Sequence, residues 1–343
     1  MRATHYIALV TCGLAGACSG SPSAPTCVEP ATGLPTDLAC TGLYDAKDST
    51  KYAADVMPYT PGVRLWSDGA EKHRYLYLPA GATIDTSDLD KWSFPVGTKA
   101  WKEFVVDGTL VETRLFSKRA EGQWDSGTYV WDADGMAATL NTEPHGIVLP
   151  NGYEIPTQKD CDKCHHGGAD RLLGVEAVAL ALPEAQGETL TQLVAQGRLS
   201  APPPTTTIEI PNDATGKAAT ALGYVHANCG MPCHSSRGLG DETKLVLRLR
   251  ATEFWPTDGS APVGVADTDI YRATVGQMPT TAAVAQHFPG ALRITPGDHT
   301  KSLLWLVSHL RGNYQMPPLV THKIDEDGTQ KLADWFDALP PAP

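Results

Sequence analysis

Two short stretches of the chain place a pair of thiols directly before an imidazole. At 160–167 the sequence reads DCDKCHHG, with Cys161, Cys164 and His165, and at 228–235 it reads NCGMPCHS, with Cys229, Cys233 and His234. Covalent attachment of haem needs two thiols that meet the two vinyl groups. It also needs a histidine directly after the second, so that the imidazole reaches the iron from one face. C-x-x-C-H meets both needs within about one helical turn. The second stretch keeps the terminal Cys-His but sets three residues between its cysteines. An inserted residue can bulge outward without parting the sulfurs, with Gly230 relaxing the backbone and Pro232 fixing a bend. It is therefore read as a variant site, for two haem c groups in all. The competing reading joins the four thiols in a structural zinc cluster, which leaves the histidine after each pair unexplained.

The start of the chain sets the compartment. MRATHYIALVTCGLAGAC has an arginine, an apolar run from Tyr6 to Ala17 and a cysteine. This is the layout of a secretory signal over residues 1–17, too short to span a bilayer as a mature helix. Ala15-Gly16-Ala17 suits ordinary cleavage, and LAGAC resembles the lipobox of bacterial lipoproteins, with Leu14 one place further from the cysteine than usual. Both readings cut before Cys18, and the second acylates it, anchoring the protein to a membrane through the tether at 18–40. Of eight cysteines, Cys12 leaves with the signal, Cys18 carries lipid and four belong to the two motifs. Cys27 and Cys40 remain and can close a disulfide, as an oxidising periplasm or exterior allows. The expected location is periplasmic, or at the outer membrane as a lipoprotein.

Charge and motif content narrow the rest. With 27 Lys+Arg against 39 Asp+Glu the net charge is -12, and no basic run tracks phosphates, so nucleic acid is not an expected partner. No Ser-His-Asp order, phosphate-cradling glycine loop or paired-carboxylate signature stands out for a hydrolase.

Residues 41–155 read as β. HRYLYL, WSFPVG, AWKEFVV, TLVETRLF and GTYVWD are short Tyr-, Trp-, Val- and Phe-rich segments, with Asp107-Gly108 and Asn151-Gly152 as two-residue hairpin turns. The expectation is an antiparallel sandwich or barrel whose tryptophans are core residues rather than a sugar-binding face. Residues 156–200 carry the first motif and a helical pattern over PEAQGETLTQLVAQGRL, with Leu190, Leu193 and Val194 on one face. Residues 201–343 begin with a linker, SAPPPTTTIEIPNDATG, after which a helical pattern runs from Thr215 into Cys229. Two clear helices close the chain, with Leu303, Leu306, Val307 and Leu310 in one, and Leu332, Trp335, Phe336 and Leu339 in the other. The fold class is α+β and multidomain.

The order helix, Cys-Cys-His, helix, NYQMPP loop and closing aromatic helix resembles class I cytochrome c. That resemblance implies Met316 as sixth iron ligand at the second haem, in a cytochrome c-like domain over 201–343. More widely, WSDGAEKHRYLYLPAG, WSFPVGTKAWKEF, VETRLFSK, QKDCDKCH, GYVHANC and ITPGDHTKSLLW are similar to bacterial exported di-haem c-type cytochromes with an N-terminal β domain, over roughly residues 35 to 340. The second motif of that family normally has two residues between its cysteines, so the chain departs from it there. The resemblance implies an electron carrier between redox partner proteins. No methionine lies between His166 and Met231 to serve the first haem. His226 is the candidate for its sixth ligand, with His166, His145 and Met278 behind it. Two other functions stay open: a peroxidase-like or dehydrogenase-linked haem enzyme with an open iron at the first haem, and a non-redox β-domain binding lipoprotein with structural zinc.

Overall fold

The computed structural model describes residues 27–28, 30–166, 170–235 and 238–341. The signal segment and the expected cleavage and lipidation at Cys18 lie outside the described residues. The protein is α+β, built on one seven-stranded antiparallel sheet. A small hairpin, β1 (Tyr44–Asp45) and β2 (Asp48–Tyr52), comes first. The sheet takes β3 (Met57–Thr60), β4 (Glu71–Tyr77), β5 (Lys99–Val106), β6 (Thr109–Ala120), β7 (Gln123–Trp131) and β8 (Ala138–Leu140). After a second hairpin, β9 (Ile147–Val148) and β10 (Glu154–Ile155), the chain becomes helical. Its helices are α1 (Gln158–His165), α2 (Ala177–Ala181), α3 (Leu190–Ala195), α4 (Ala218–Val225), α5 (Ala251–Phe254), α6 (Asp269–Thr274), α7 (Ala282–His287), α8 (Leu303–Ser308) and α9 (Glu326–Ala338). Among the described residues no helix is long and apolar enough to cross a membrane.

The turn chemistry read from the sequence holds at β5–β6. Asp107 and Gly108 both take positive φ, 51° and 77°, as a two-residue type I′ turn requires. At β9–β10 the loop is one residue longer than expected. Leu149 N donates to Tyr153 O at 2.8 Å, and Gly152 supplies the left-handed residue of a three-residue loop. WSFPVG forms no strand beyond a bridge at Ser93, and Trp92 and Phe94 pack as a buried irregular loop. Of PEAQGETLTQLVAQGRL only α3 is helical. Its first half turns and gives β11 (Gln186–Gly187), which pairs with β3 across the expected boundary at 155/156.

The sandwich or barrel is not formed. The sheet is open, in the order β11-β3-β4-β5-β6-β7-β8, covered on one face by an extended segment with the small β1–β2 hairpin and on the other by helices. On one face Tyr75, Trp101, Leu115 and Tyr129 are covered by the segment around Leu38 and Leu43. Trp101 Nε1 donates to Thr41 Oγ1 at 3.0 Å, Tyr129 OH donates to Pro35 O at 2.8 Å, and the Cys27–Cys40 disulfide closes this cover. Glu103, buried on the same face, accepts from the hydroxyls of Tyr44, Tyr52 and Tyr75. On the other face Leu76, Ala100 and Phe116 share one continuous core with α2, α3, α4 and the Leu332, Trp335 and Phe336 stripe of α9. Both faces are buried, so β5 and β6 carry large apolar residues at successive positions rather than a simple alternation. This second face also carries the site.

Candidate cofactor cavity

Cys161, Cys164, His165, Cys229, Cys233, His234 and Met316 all line one cavity of about 280 Å³ between the sheet and the helices. Residues far apart in the sequence thus face one space, whose wall is mostly apolar and includes Ala100, Phe104, Phe116, Leu172, Leu304 and Val307.

The first motif lies on α1, a regular helix. Thr157 caps it: its hydroxyl accepts from Asp160 N at 3.2 Å, while the Asp160 carboxylate accepts from Thr157 N, a capping box. Cys161 and Cys164 therefore share one helix face with His165 one residue on. The His165 ring stacks on Phe116 of β6 with centroids 4.2 Å apart. His165 Nδ1 lies 2.6 Å from Arg171 O. A carbonyl oxygen only accepts, so Nδ1 carries the proton and the Nε2 lone pair is free to bind a metal. Burial, reinforced by the nearby Lys102 charge, pushes the imidazole down to about 3, so it stays neutral. Arg171 presents that carbonyl from a left-handed conformation, φ 63°, and its guanidinium returns to Asp162 on α1 at 2.5 Å. The residue before it, Asp170, bolts the loop to the sheet: its carboxylate accepts from Lys118 Nζ at 2.8 Å, Trp124 Nε1 at 2.6 Å and Phe94 N at 2.6 Å.

The second motif solves its extra residue differently. After α4 the helix widens into a single π turn, His226–Gly230, in which Met231 N donates to His226 O at 2.9 Å. His234 N then donates to Cys229 O, again five residues back, at 2.8 Å. The added residue is taken up by i→i+5 hydrogen bonding, first in the π turn and then in the turn that follows it, and both sulfurs line the cavity. The outward bulge at Gly230 is thus not what occurs. Gly230 packs against the next segment, where a Cβ would stand 2.2 Å from Leu247 O. His234 is buried, and its ring rests on Gly240, where a Cβ would come within 2.4 Å of Nδ1. Among the described residues its Nδ1 has only the Thr243 hydroxyl within hydrogen-bond distance, at 3.4 Å. Asn228 ties this turn to the β segment: Trp66 N donates to Oδ1 at 2.7 Å, and Nδ2 donates to Arg64 O and Tyr224 O.

Thiols of the two motifs influence each other: interaction with Cys233 draws Cys164 down to about 7 and raises Cys233, while burial lifts Cys161 and pushes Cys229 up to about 12. Among the described residues no three His, Cys, Asp or Glu side chains are grouped to hold a metal ion, so the four thiols are not arranged as a four-thiolate zinc cluster.

Met316 is half-buried at the cavity wall, in a loop that follows α8. Its N donates to Val307 O at 2.7 Å. The loop is held by Gln315, whose Oε1 accepts from Gly312 N at 2.8 Å and whose Nε2 donates to Pro317 O and Thr321 O at 3.0 and 2.9 Å.

His226 does not face this cavity. It is fully buried beside a separate void of about 30 Å³, where its Nδ1 accepts from Leu249 N at 3.0 Å and its Nε2 lies 3.3 Å from Glu176 Oε1. Both ring nitrogens are engaged, so the expectation that it ligates the first iron fails in this arrangement: the π turn between it and His234 changes the phase of the helix. His145 and His166 are exposed, and Met278 is 62% exposed. Arg171, Asn228, Gly240 and Gln315 escaped the sequence reading, because each acts through backbone contacts that carry no spacing signal. Comparison with protein-family models, with curated proteins and with solved structures finds no match.

Proposed function

We propose that the chain is a two-haem electron carrier of the c type, exported, exchanging electrons with redox partner proteins. Cys161 and Cys164 hold one haem with His165 as iron ligand; Cys229 and Cys233 hold the other with His234, and Met316 completes its iron. The observation that carries the reading is the His165 imidazole: neutral, fixed by Arg171 O, and free at Nε2 toward a cavity that also receives His234, Met316 and all four thiols. The lining suits such a group chemically: the wall is largely apolar, as a porphyrin face needs, and brings thiols, imidazoles and a basic strand face to one space. Bound haem supplies one-electron redox chemistry. The chain's own residues orient it, exclude water and set its potential.

One observation favours the second reading, an enzyme with an open iron at the first haem. Among the described residues the cavity wall offers no histidine or methionine other than His165, His234 and Met316, since His226 is turned away.

Intact mass of the purified mature chain tests both. Two haem increments are expected, with one lost in Cys161→Ser/Cys164→Ser and one in Cys229→Ser/Cys233→Ser. One increment in the parent, with Cys229 and Cys233 still alkylatable, would reduce the chain to one haem. Met316→Ala should leave a second iron that takes cyanide, and Met316→His should lower its potential, because a thioether favours ferrous iron. If the parent binds cyanide at the first haem, the enzyme reading gains over the carrier.

A further inference from the structure

The sheet face under the cavity carries a row of cations of which, among the described residues, only Arg114 is in an ion pair; Glu154, Asp160 and Asp325 lie elsewhere on the cavity wall, and Asp325 acts on Lys72 without pairing with it. Arg74 of β4, Lys102 of β5 and Arg114 of β6 stand directly opposite one another in register, and Lys72 lies on the same face two residues before Arg74. Like charges opposed across strands destabilise a sheet, and burial makes it worse. The row occurs in a chain of net charge -12, so it is no by-product of a basic composition.

Only one of the four is matched. Arg114 makes a two-pronged pair with Glu112, at 2.6 and 2.9 Å. Arg74 donates to Lys72 O at 3.3 Å and Lys72 to Leu65 O at 2.8 Å, both to carbonyls. Lys102 has no hydrogen bond or ion pair among the described residues. It stands where the main cavity meets the small void that Arg74, Glu176 and His226 line. Glu176 is no reserve of negative charge: besides His226 it accepts from Val178 N at 2.8 Å and Ala179 N at 2.5 Å. Burial, with the arginines on either side, pushes Lys102 down to about 7, and burial lowers Lys72.

We propose that Lys72 and Lys102 form the anion-binding wall of the cavity, with Arg74 behind them at the small void, and that the β domain thereby holds the carboxylates of the group seated there. This rests on the two-haem reading for its choice of carboxylate: the propionates of haem, an otherwise apolar plane, supply the missing negative charge. It also gives the β segment a role in tuning, since cations beside a haem favour the ferrous form and raise its potential.

The test uses the haem-loaded mature chain with Lys102→Met and Lys72→Met, which keep length and lose charge, and Lys102→Gln in case packing of the thioether disturbs folding. Midpoint potentials come from redox titration, and the propionate bending band from resonance Raman. Each variant should keep two haems and a low-spin spectrum. One haem should become easier to keep ferric by about tenfold, equivalent to about 59 mV for one electron, with a moved propionate band. Unchanged potential and band in all three variants overturn the proposal. So does a Lys102 variant that turns high-spin and binds cyanide, since Lys102 would then be an iron ligand. A parent potential that follows added phosphate would assign the wall to a free anion and overturn it too. A parent with no Soret band overturns the two-haem reading itself, an outcome distinct from a loaded protein whose potential ignores the lysines.

Discussion

The two Cys-Cys-His regions reach the same cavity by different local means, and the difference shows what such a motif requires. At 161–165 the spacing fits a plain α-helix, and the work of positioning falls outside the motif: Thr157 caps the helix, Phe116 supports the ring and Arg171 O fixes its tautomer. At 229–234 the spacing is one residue too long, and the backbone absorbs it as a π turn that Gly230 allows to pack against Leu247 and Arg248. The first imidazole is oriented by a carbonyl at 2.6 Å, the second by contact with Gly240 and a hydroxyl at 3.4 Å. What both share is the delivery of two sulfurs and a ring to one cavity. The count of residues between the cysteines is secondary, because a shift from i→i+4 to i→i+5 hydrogen bonding, carried on into the turn after the helix, takes up the extra residue.

Their anchors differ in kind, which gives the comparison its sharpest break. The first region is held by a buried ion cluster, with Lys118 fully buried against Asp170. Asp170→Ala leaves that ammonium with only Phe94 O and the exposed Glu121 carboxylate and frees Trp124 Nε1 and Phe94 N, so unfolding by denaturant should show a loss of about 3–5 kcal/mol. Adding Lys118→Met should recover most of it, because removing both members of a buried pair costs far less than removing one. A single Asp170→Ala chain as stable as the parent would mean that the cluster does not hold the loop.

The second region is held by an amide. Asn228→Ala deletes three hydrogen bonds, to Trp66 N, Arg64 O and Tyr224 O, at about 1 kcal/mol each, so its denaturant midpoint should fall by about 2–3 kcal/mol in stability terms. The loss should depend little on salt or pH, since no charge is involved. Equal losses in Asn228→Ala and Asp170→Ala would erase the distinction between the two anchors.

How far all this could be read from the sequence follows from what each signal encodes. The strands β4 to β7 and the Asp107-Gly108 turn were legible, because aromatic and β-branched runs fit a pleated surface and few residue pairs accept two positive φ values. The open sheet was not. Strands apolar on both faces demand two covers, and nothing local says whether a cover is sheet, helix or, as over Trp101 and Tyr129, an extended segment. The thiols and the two motif histidines were legible as a pattern. His226 was misplaced, because the helical pattern from Thr215 into Cys229 carries no sign of the π turn that shifts it out of phase with His234. Lys102 gave no sign at all: in an alternating strand a lysine reads as solvent-facing, yet here both faces of β5 are covered.

The smallest expected effect lies in the loop that presents Met316, which on the two-haem proposal serves the second imidazole, while among the described residues the cavity wall has no second methionine for the first. Gln315 is the hub of that loop, bridging Gly312 N on one side to Pro317 O and Thr321 O on the other. It touches neither cavity nor thiol, so Gln315→Ala should leave the haem count, the low-spin spectrum and the potential of the first haem alone. The loss of a few half-exposed hydrogen bonds should loosen the loop by about 1 kcal/mol. Because a Met–iron bond favours the ferrous state, a looser methionine should lower the second potential slightly and let cyanide in faster, with the weak far-red ferric band of Met ligation reduced but present. Stopped-flow cyanide binding to the ferric protein reads this directly: the slow phase assigned to the second haem should quicken, while Met316→Ala removes the barrier altogether. If Gln315→Ala matches the parent and Met316→Ala alone changes the rate, the two prolines after Met316 hold the loop unaided. If neither changes it, Met316 packs against the cavity without closing it, and both imidazoles face open positions.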